Sequence, residues 1–191
     1  AGNVSGVVAS DGIMVDTASP TGTTATAPTL ATGSFTVSWS GTADALSGVS
    51  GHYRILYKDT ASGSWDTWLG DTTATSGDFG AASVPVALTS GHEYFFEALG
   101  KDNAGNWEVI NGGSGEDSTL YDVTAPNNPT VTAYSASNKT YALPTGNWYN
   151  YANPYFEWSA PQDLPTGAGL GSAGIEGYYV YFGTDTNADP S

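Results

Sequence analysis

The chain has no cysteine, a single methionine, and four lysines and arginines against nineteen aspartates and glutamates. The lack of thiols excludes disulfides, thiol nucleophiles and thiolate metal centres. The shortage of cations excludes nucleic acid as a partner: a phosphate backbone is bound by Lys and Arg that displace its counterions, and the formal net charge here is −15. No apolar run reaches the roughly 18 residues that a membrane-crossing helix requires, so no direct membrane insertion is expected. Charged residues occupy 12% of the 191 positions, too few for long exposed helices, which draw on Lys, Glu and Arg. What is abundant is 25 Gly, 12 Tyr, 6 Trp and 6 Phe, a composition that suits turns and half-buried strands. The expected fold class is all-β.

The chain repeats itself. Ala1-Gly-Asn3 recurs as Ala104-Gly-Asn106, and Asp16-Thr-Ala-Ser-Pro20 as Asp122-Val-Thr-Ala-Pro126. Phe35-Thr-Val-Ser-Trp39-Ser40 matches Tyr155-Phe-Glu-Trp158-Ser159, with an acid five residues beyond each Trp, Asp44 and Asp163. Ser47-Gly-Val-Ser-Gly-His-Tyr53 then matches Ala173-Gly-Ile-Glu-Gly-Tyr-Tyr179. Residues 1–19 are therefore expected to be the C-terminal end of one unit plus a linker. Residues 20–124 form one complete unit, and 125–191 the N-terminal part of the next. The 191 residues are expected to be a piece of a longer array.

Within the complete unit the pattern alternates with period two. Phe35, Val37 and Trp39 share one face of a strand over Ser34–Ser40, and Tyr53, Ile55 and Tyr57 one face of His52–Lys58. Further strands are expected over Trp65–Leu69, Val84–Leu88, Glu93–Gly100 and Leu120–Val123, with Tyr94, Phe96 and Ala98 inward. About seven short strands punctuated by Gly and Asp-Thr describe a β-sandwich.

These residues resemble the fibronectin type III and related bacterial immunoglobulin-like modules. Trp39 is similar to the buried tryptophan of strand B and Tyr53 to the tyrosine of strand C. Leu88 followed by Tyr94 resembles the tyrosine corner. Asp102-Asn-Ala-Gly-Asn106 resembles the F–G turn, and Asp122–Pro126 the inter-domain linker, of tandem surface proteins. The resemblance implies tandem immunoglobulin-like (fibronectin type III-like) β-sandwiches, one complete and two partial. It implies no activity, because the fold hosts many.

In such a tandem array a linker meets the B–C and F–G loops of the next sandwich, so Asp16 would approach Asp44, Asp102 and Asn103, and Asp122 would approach Asp163. Converging hard oxygens suit Ca²⁺; equally, each carboxylate can cap its own loop as an Asx turn. Asp185-Thr-Asn187-Ala-Asp189 has the spacing of a calcium loop but Pro190 where such a loop turns on glycine. Trp148, Tyr149 and Tyr151 form a candidate carbohydrate platform, with packing of an inserted loop as the other reading. Trp65 and Trp68 divide in the same way. His52 and His92 start antiparallel neighbouring strands and so fall at opposite ends, which separates them as an acid–base or metal pair. Neither a Ser-His-Asp set nor a phosphate loop is present. Asn3-Val-Ser5 and Asn138-Lys-Thr140 fit the N-glycosylation pattern.

The expected function is non-enzymatic: a structural or adhesive segment of an extracellular, cell-surface microbial protein or fibre. Its partners would be neighbouring domains, copies of itself, or surface glycans. The alternatives are a carbohydrate- or calcium-binding module, with Ca²⁺ as the one possible cofactor, or a non-catalytic spacer of a secreted hydrolase.

Overall fold

A computed structural model of the chain describes residues 12–165 and 170–183, and these contain ten strands and no helix. The strands are β1 (Thr24–Thr26), β2 (Leu30–Ala31), β3 (Phe35–Ser40), β4 (Val49–Asp59) and β5 (Asp66–Thr72). They continue with β6 (Ser76–Phe79), β7 (His92–Asp102), β8 (Asp117–Tyr121), β9 (Val131–Tyr134) and β10 (Tyr155–Trp158). Packing divides the described residues into two units, 12–87 with 93–119 and 88–92 with the residues from 120 on. No described helix is long and apolar enough to cross a membrane.

The first unit is an all-β, sandwich-like body. One sheet has the order β1-β3-β6 and the other β2-β8-β7-β4-β5. Alternation in β3 places Phe35, Val37 and Trp39 inside and Thr36, Ser38 and Ser40 outside, as period-two side chains require. The two layers meet through rings: Phe79 of β6 lies 4.9 Å from Phe96 of β7 and 5.2 Å from Trp68 of β5, and Trp39 lies 6.1 Å from Trp68. These pairs are edge-to-face or nearly so, the arrangement in which a ring's positive edge meets a negative face, each worth about 0.5–1.5 kcal/mol beyond area burial. Trp39 also donates its Nε1–H to the Ala74 carbonyl at 2.7 Å. The Tyr94 hydroxyl donates to the Ala87 carbonyl at 3.3 Å.

β4 and β7 are antiparallel, with Tyr53 opposite Gly100 and Asp59 opposite Tyr94, so the two histidines do start at opposite ends. β7 is buried on both faces. Tyr94, Phe96 and Ala98 face the ring core, while on the other face Phe95 lies under Lys58 and Glu97 is engaged by the residues that follow Asp102. Trp107 stacks on Arg54, Asn111 donates its N–H to Glu97, and the Gly113 carbonyl accepts from Lys58. A strand over Val84–Leu88 is absent. Pro85 lacks the N–H a ladder needs, and the third strand of the small sheet is instead the polar β6, pairing Phe35 with Phe79.

In the second unit β9 and β10 pair antiparallel, Tyr155 opposite Tyr134 and Trp158 opposite Val131. The described residues 170–183, the counterparts of β4, form no strand. Trp158 is 43% exposed where its counterpart Trp39 is 2% exposed. Its ring contact is Tyr178 at 6.0 Å, and Phe156 meets Phe182 at 5.4 Å.

Trp39→Ala should destabilise the first unit by about 3–5 kcal/mol, the range for emptying an aromatic core position. Chemical denaturation followed by tryptophan fluorescence measures it, and a change below about 1 kcal/mol would mean that Trp39 is not a core residue.

Candidate functional site

Three carboxylates meet at one end of the first unit. Asp16 precedes β1, Asp44 follows β3 and Asp102 ends β7, and one oxygen of each lies within 4.8 Å of the others. Each is held by N–H donors. Asp16 accepts the Ala18 N–H on Oδ1 at 2.9 Å and the Ser47 N–H on Oδ2 at 3.0 Å. Asp44 Oδ2 takes the N–H groups of Leu46 and Gly48 at 3.0 and 2.7 Å. The buried Asp102 accepts from the backbone and side chain of Asn106, both at 2.7 Å. The Asn106 amide also reaches the Asp16 and Ala18 carbonyls, and the Asn103 amide donates to the Ser47 carbonyl. Hydrogen bonds, that from Ser47 foremost, hold the Asp16 carboxyl below the usual aspartate value. Convergence and local capping, two readings of the same aspartates, are both present.

The second unit repeats the arrangement at matching positions. Asp122 accepts the Thr124 N–H on Oδ1 and the Ala173 N–H on Oδ2, both at 2.8 Å. Asp163 Oδ2 accepts the Gly174 N–H at 2.8 Å. Asp122 thus does for Ala173 what Asp16 does for Ser47, and Asp163 does for Gly174 what Asp44 does for Gly48. Both glycines have positive φ, 77° and 82°, the left-handed conformation that glycine adopts without a Cβ penalty. The backbone bonds from Ala173 and then Thr124 hold Asp122 below the usual range. The structure therefore brings together Asp16, Asp44, Asp102 and Asn103 in one loop cluster, and Asp122 and Asp163 on adjacent amides in another.

Trp148, Tyr149 and Tyr151 lie in the segment between β9 and β10. Trp148 is fully exposed, at 101%, and Tyr149 and Tyr151 stack at 6.4 Å with an interplanar angle of 27°. Trp65 covers Lys58 and Trp68 belongs to the core. His52 pairs with Asp71 at 2.5 Å on the surface; this hydrogen bond is the main cause that lowers the Asp71 carboxyl. Asn138 is exposed. Asn3, Ser5, Asp185, Asn187 and Asp189 lie outside the described residues.

Sequence reasoning missed a second acidic group. Glu97 is wholly buried, Glu108 nearly so, and Glu116 partly. Glu108 and Glu116 receive backbone N–H groups from both β7 and the chain at β1. The available signal was Glu108 and Glu116 flanking a glycine-rich stretch, Asn111-Gly-Gly-Ser-Gly115, with Glu97 placed among the apolar residues of Tyr94–Leu99. No family model, curated protein or solved structure matches the chain.

Asp44→Ala removes the acceptor of two loop amides and should cost about 1–3 kcal/mol, the range for charged hydrogen bonds left unmade. Asp44→Asn, which keeps a side-chain oxygen, should cost less. Equal losses for both variants in denaturant titrations would show that charge, not capping, is what the loop uses.

Proposed function

We propose that the chain is a non-catalytic segment of an extracellular scaffold: tandem fibronectin type III-like, immunoglobulin-like sandwiches of a microbial surface protein or fibre, partnered by neighbouring domains or copies of itself. The observation that carries this reading is the recurrence of one aspartate clasp at the start of both repeats, Asp16 with Asp44 and Asp122 with Asp163. A linker residue that closes on the loop of the following unit is a device for joining modules in series. The pairing β1-β3-β6 beside β8-β7-β4-β5 also corresponds to the A-B-E and G-F-C-C′ layers of the family it resembles. The acidic, cysteine-free composition suits an exposed protein that must not associate nonspecifically. Antibodies to the chain should label intact source cells, and brief external proteolysis should release it. Labelling seen only after lysis would overturn the surface reading.

A calcium-bound joint is favoured by the 4.8 Å convergence of Asp16, Asp44 and Asp102, because three carboxylates that close repel unless a cation or amides offset them. Calcium at about a hundredfold excess over Kd should stabilise the protein by about 2.7 kcal/mol, and Asp44→Asn should abolish that increment. A melting temperature indifferent to both calcium and EDTA would exclude it.

A glycan-binding reading is favoured by the exposed Trp148 beside stacked Tyr149 and Tyr151, in a stretch with no Asp, Glu, Lys, Arg or His from Thr140 to Phe156. A neutral sugar would bind there by ring stacking. Trp148→Ala should then reduce retention on immobilised neutral glycans at least about tenfold, roughly the loss of one aromatic hot spot. Failure of the unmodified chain to bind any glycan ends this reading.

A further inference from the structure

Of the eleven asparagines in the chain, Asn111 alone is followed by a glycine. It opens the stretch Asn111-Gly-Gly-Ser-Gly115, which arches between two backbone bonds to β7. Glu108 N–H donates to the Gly100 carbonyl at 2.9 Å and Glu116 N–H to the Phe96 carbonyl at 2.8 Å. The arch is tethered at two further points: the Asn111 N–H goes to Glu97, and the Gly113 carbonyl takes the Lys58 ammonium. Between those tethers the chain is open. Asn111 is exposed, and neither its side-chain amide nor the Gly112 N–H has a hydrogen-bond partner among the described residues. Gly112 and Gly113 have positive φ, 73° and 70°, which glycine adopts freely, and a Cβ at either would meet nothing within 4 Å.

This combination is the setting for an intramolecular reaction. The carbon of an asparagine side-chain amide is electrophilic, and the backbone nitrogen of the following residue is tethered within reach of it, closing a five-membered ring. Two things ordinarily suppress that closure. A side chain on the following residue blocks the approach, and an N–H already donated to an acceptor gives up its proton less readily. Gly112 has no side chain, and its N–H is free of both β7 and β4. A cleft of about 450 Å³ lined by Asn111, Glu108 and Glu116 gives water a route to the site.

We propose that Asn111-Gly112 is a self-modification site, at which the chain converts an uncharged amide into a carboxylate and so releases the arch from β4 and β7. In the first step the Gly112 nitrogen bonds to Asn111 Cγ. The Cγ–Nδ2 bond breaks, and the Nδ2 group leaves as ammonia with the proton that Gly112 gave up. In the second step water adds to one of the two carbonyls of the resulting succinimide, and the bond from that carbon to the Gly112 nitrogen breaks. Attack at Cγ leaves aspartate at position 111; attack at the main-chain carbon leaves isoaspartate, with the backbone routed through Cγ. One water is consumed, one ammonia is released and nothing is oxidised or reduced. Either product adds a negative charge to a cleft that already holds Glu108 and Glu116, and like charges repel. Isoaspartate also adds one carbon to the backbone between the Asn111 and Gly113 tethers, which puts them out of register with Glu97 on β7 and Lys58 on β4. The arch thus passes one way, from tethered to released.

Peptide mapping by mass spectrometry tests this on the 191-residue chain, held folded at mildly alkaline pH in ¹⁸O-labelled water. The peptide containing Asn111 should pass from amide to acid at least about tenfold faster than any peptide containing another asparagine. Its product should carry one heavy oxygen and include isoaspartate, detected by an isoaspartyl-specific methyltransferase. Asn111→Gln, whose longer side chain requires a six-membered ring, should stay unconverted at that position. Amide exchange reads the structural consequence: protection of Glu116 should fall at least about tenfold in the converted protein, while Ile55 in the β4 ladder is unchanged, and Asn111→Gln aged in parallel should show no fall. Conversion of Asn111 no faster than that of the other asparagines overturns the site. Conversion that leaves the Glu116 amide as protected as before overturns the release of the arch.

Discussion

Nineteen carboxylates and four Lys and Arg side chains cannot neutralise one another, and the first unit is organised by how that imbalance is resolved. Backbone N–H groups do what cations would do elsewhere. The clasp aspartates and the buried glutamates 108 and 116 each accept one or more amides, and none of these needs a lysine. Lys101 and Lys139 pair at the surface with Asp71 and Glu157, and the other two cations engage carbonyls and rings. Arg54 donates to the Gly70 carbonyl and lies 4.4 Å from the Trp107 ring, and Lys58 donates to the Ala61 and Gly113 carbonyls. An amide donor is fixed by the fold and brings little desolvation cost of its own, whereas a buried ion pair must desolvate both charges.

The same solution has different consequences at different sites. At the half-buried Asp16 and the buried Asp122 the hydrogen bonds outweigh desolvation and lower the carboxyl value. Such groups stay ionised at neutral pH and act as permanent caps. At the buried Glu97 and the partly buried Glu116 desolvation outweighs the hydrogen bonds and reverses the direction of the shift. One type of contact, carboxylate to N–H, thus serves both the loops and the edge of β7.

What was legible in the sequence follows from periodicity and repetition. Phe35, Val37, Trp39, Tyr94, Phe96 and Ala98 alternate, and all are buried. Asp16, Asp44, Asp122 and Asp163 were found because a repeat aligns them, and the amides they engage align as well. β6 was illegible because Ser76-Gly-Asp-Phe79 carries one apolar residue; its identity as a strand comes from Phe79 entering a ring core built by other strands. Val84–Leu88 looked more like a strand and is none, since pattern alone does not register a missing N–H at Pro85. The glutamate array was hidden for another reason. Its partners are backbone amides of distant strands, and backbone amides leave no mark in a sequence.

The repeated clasp has a geometry that both of its occurrences share. Its geometry needs an aspartate two residues before the linker amide it caps, a second aspartate in the loop after the first core strand, and a glycine at positive φ four or eleven residues beyond that aspartate. Asp44 and Gly48 enclose a short loop, while Asp163 and Gly174 enclose an insertion, yet the Gly48 and Gly174 amides both end on the carboxylate. The loop can therefore lengthen without altering the joint, because the clasp fixes only its two ends. The entropic cost of that lengthening grows slowly with loop size. The carboxylate–amide clasp is therefore indifferent to the length of the loop it closes, because both ends of the loop are held by the same pair of groups.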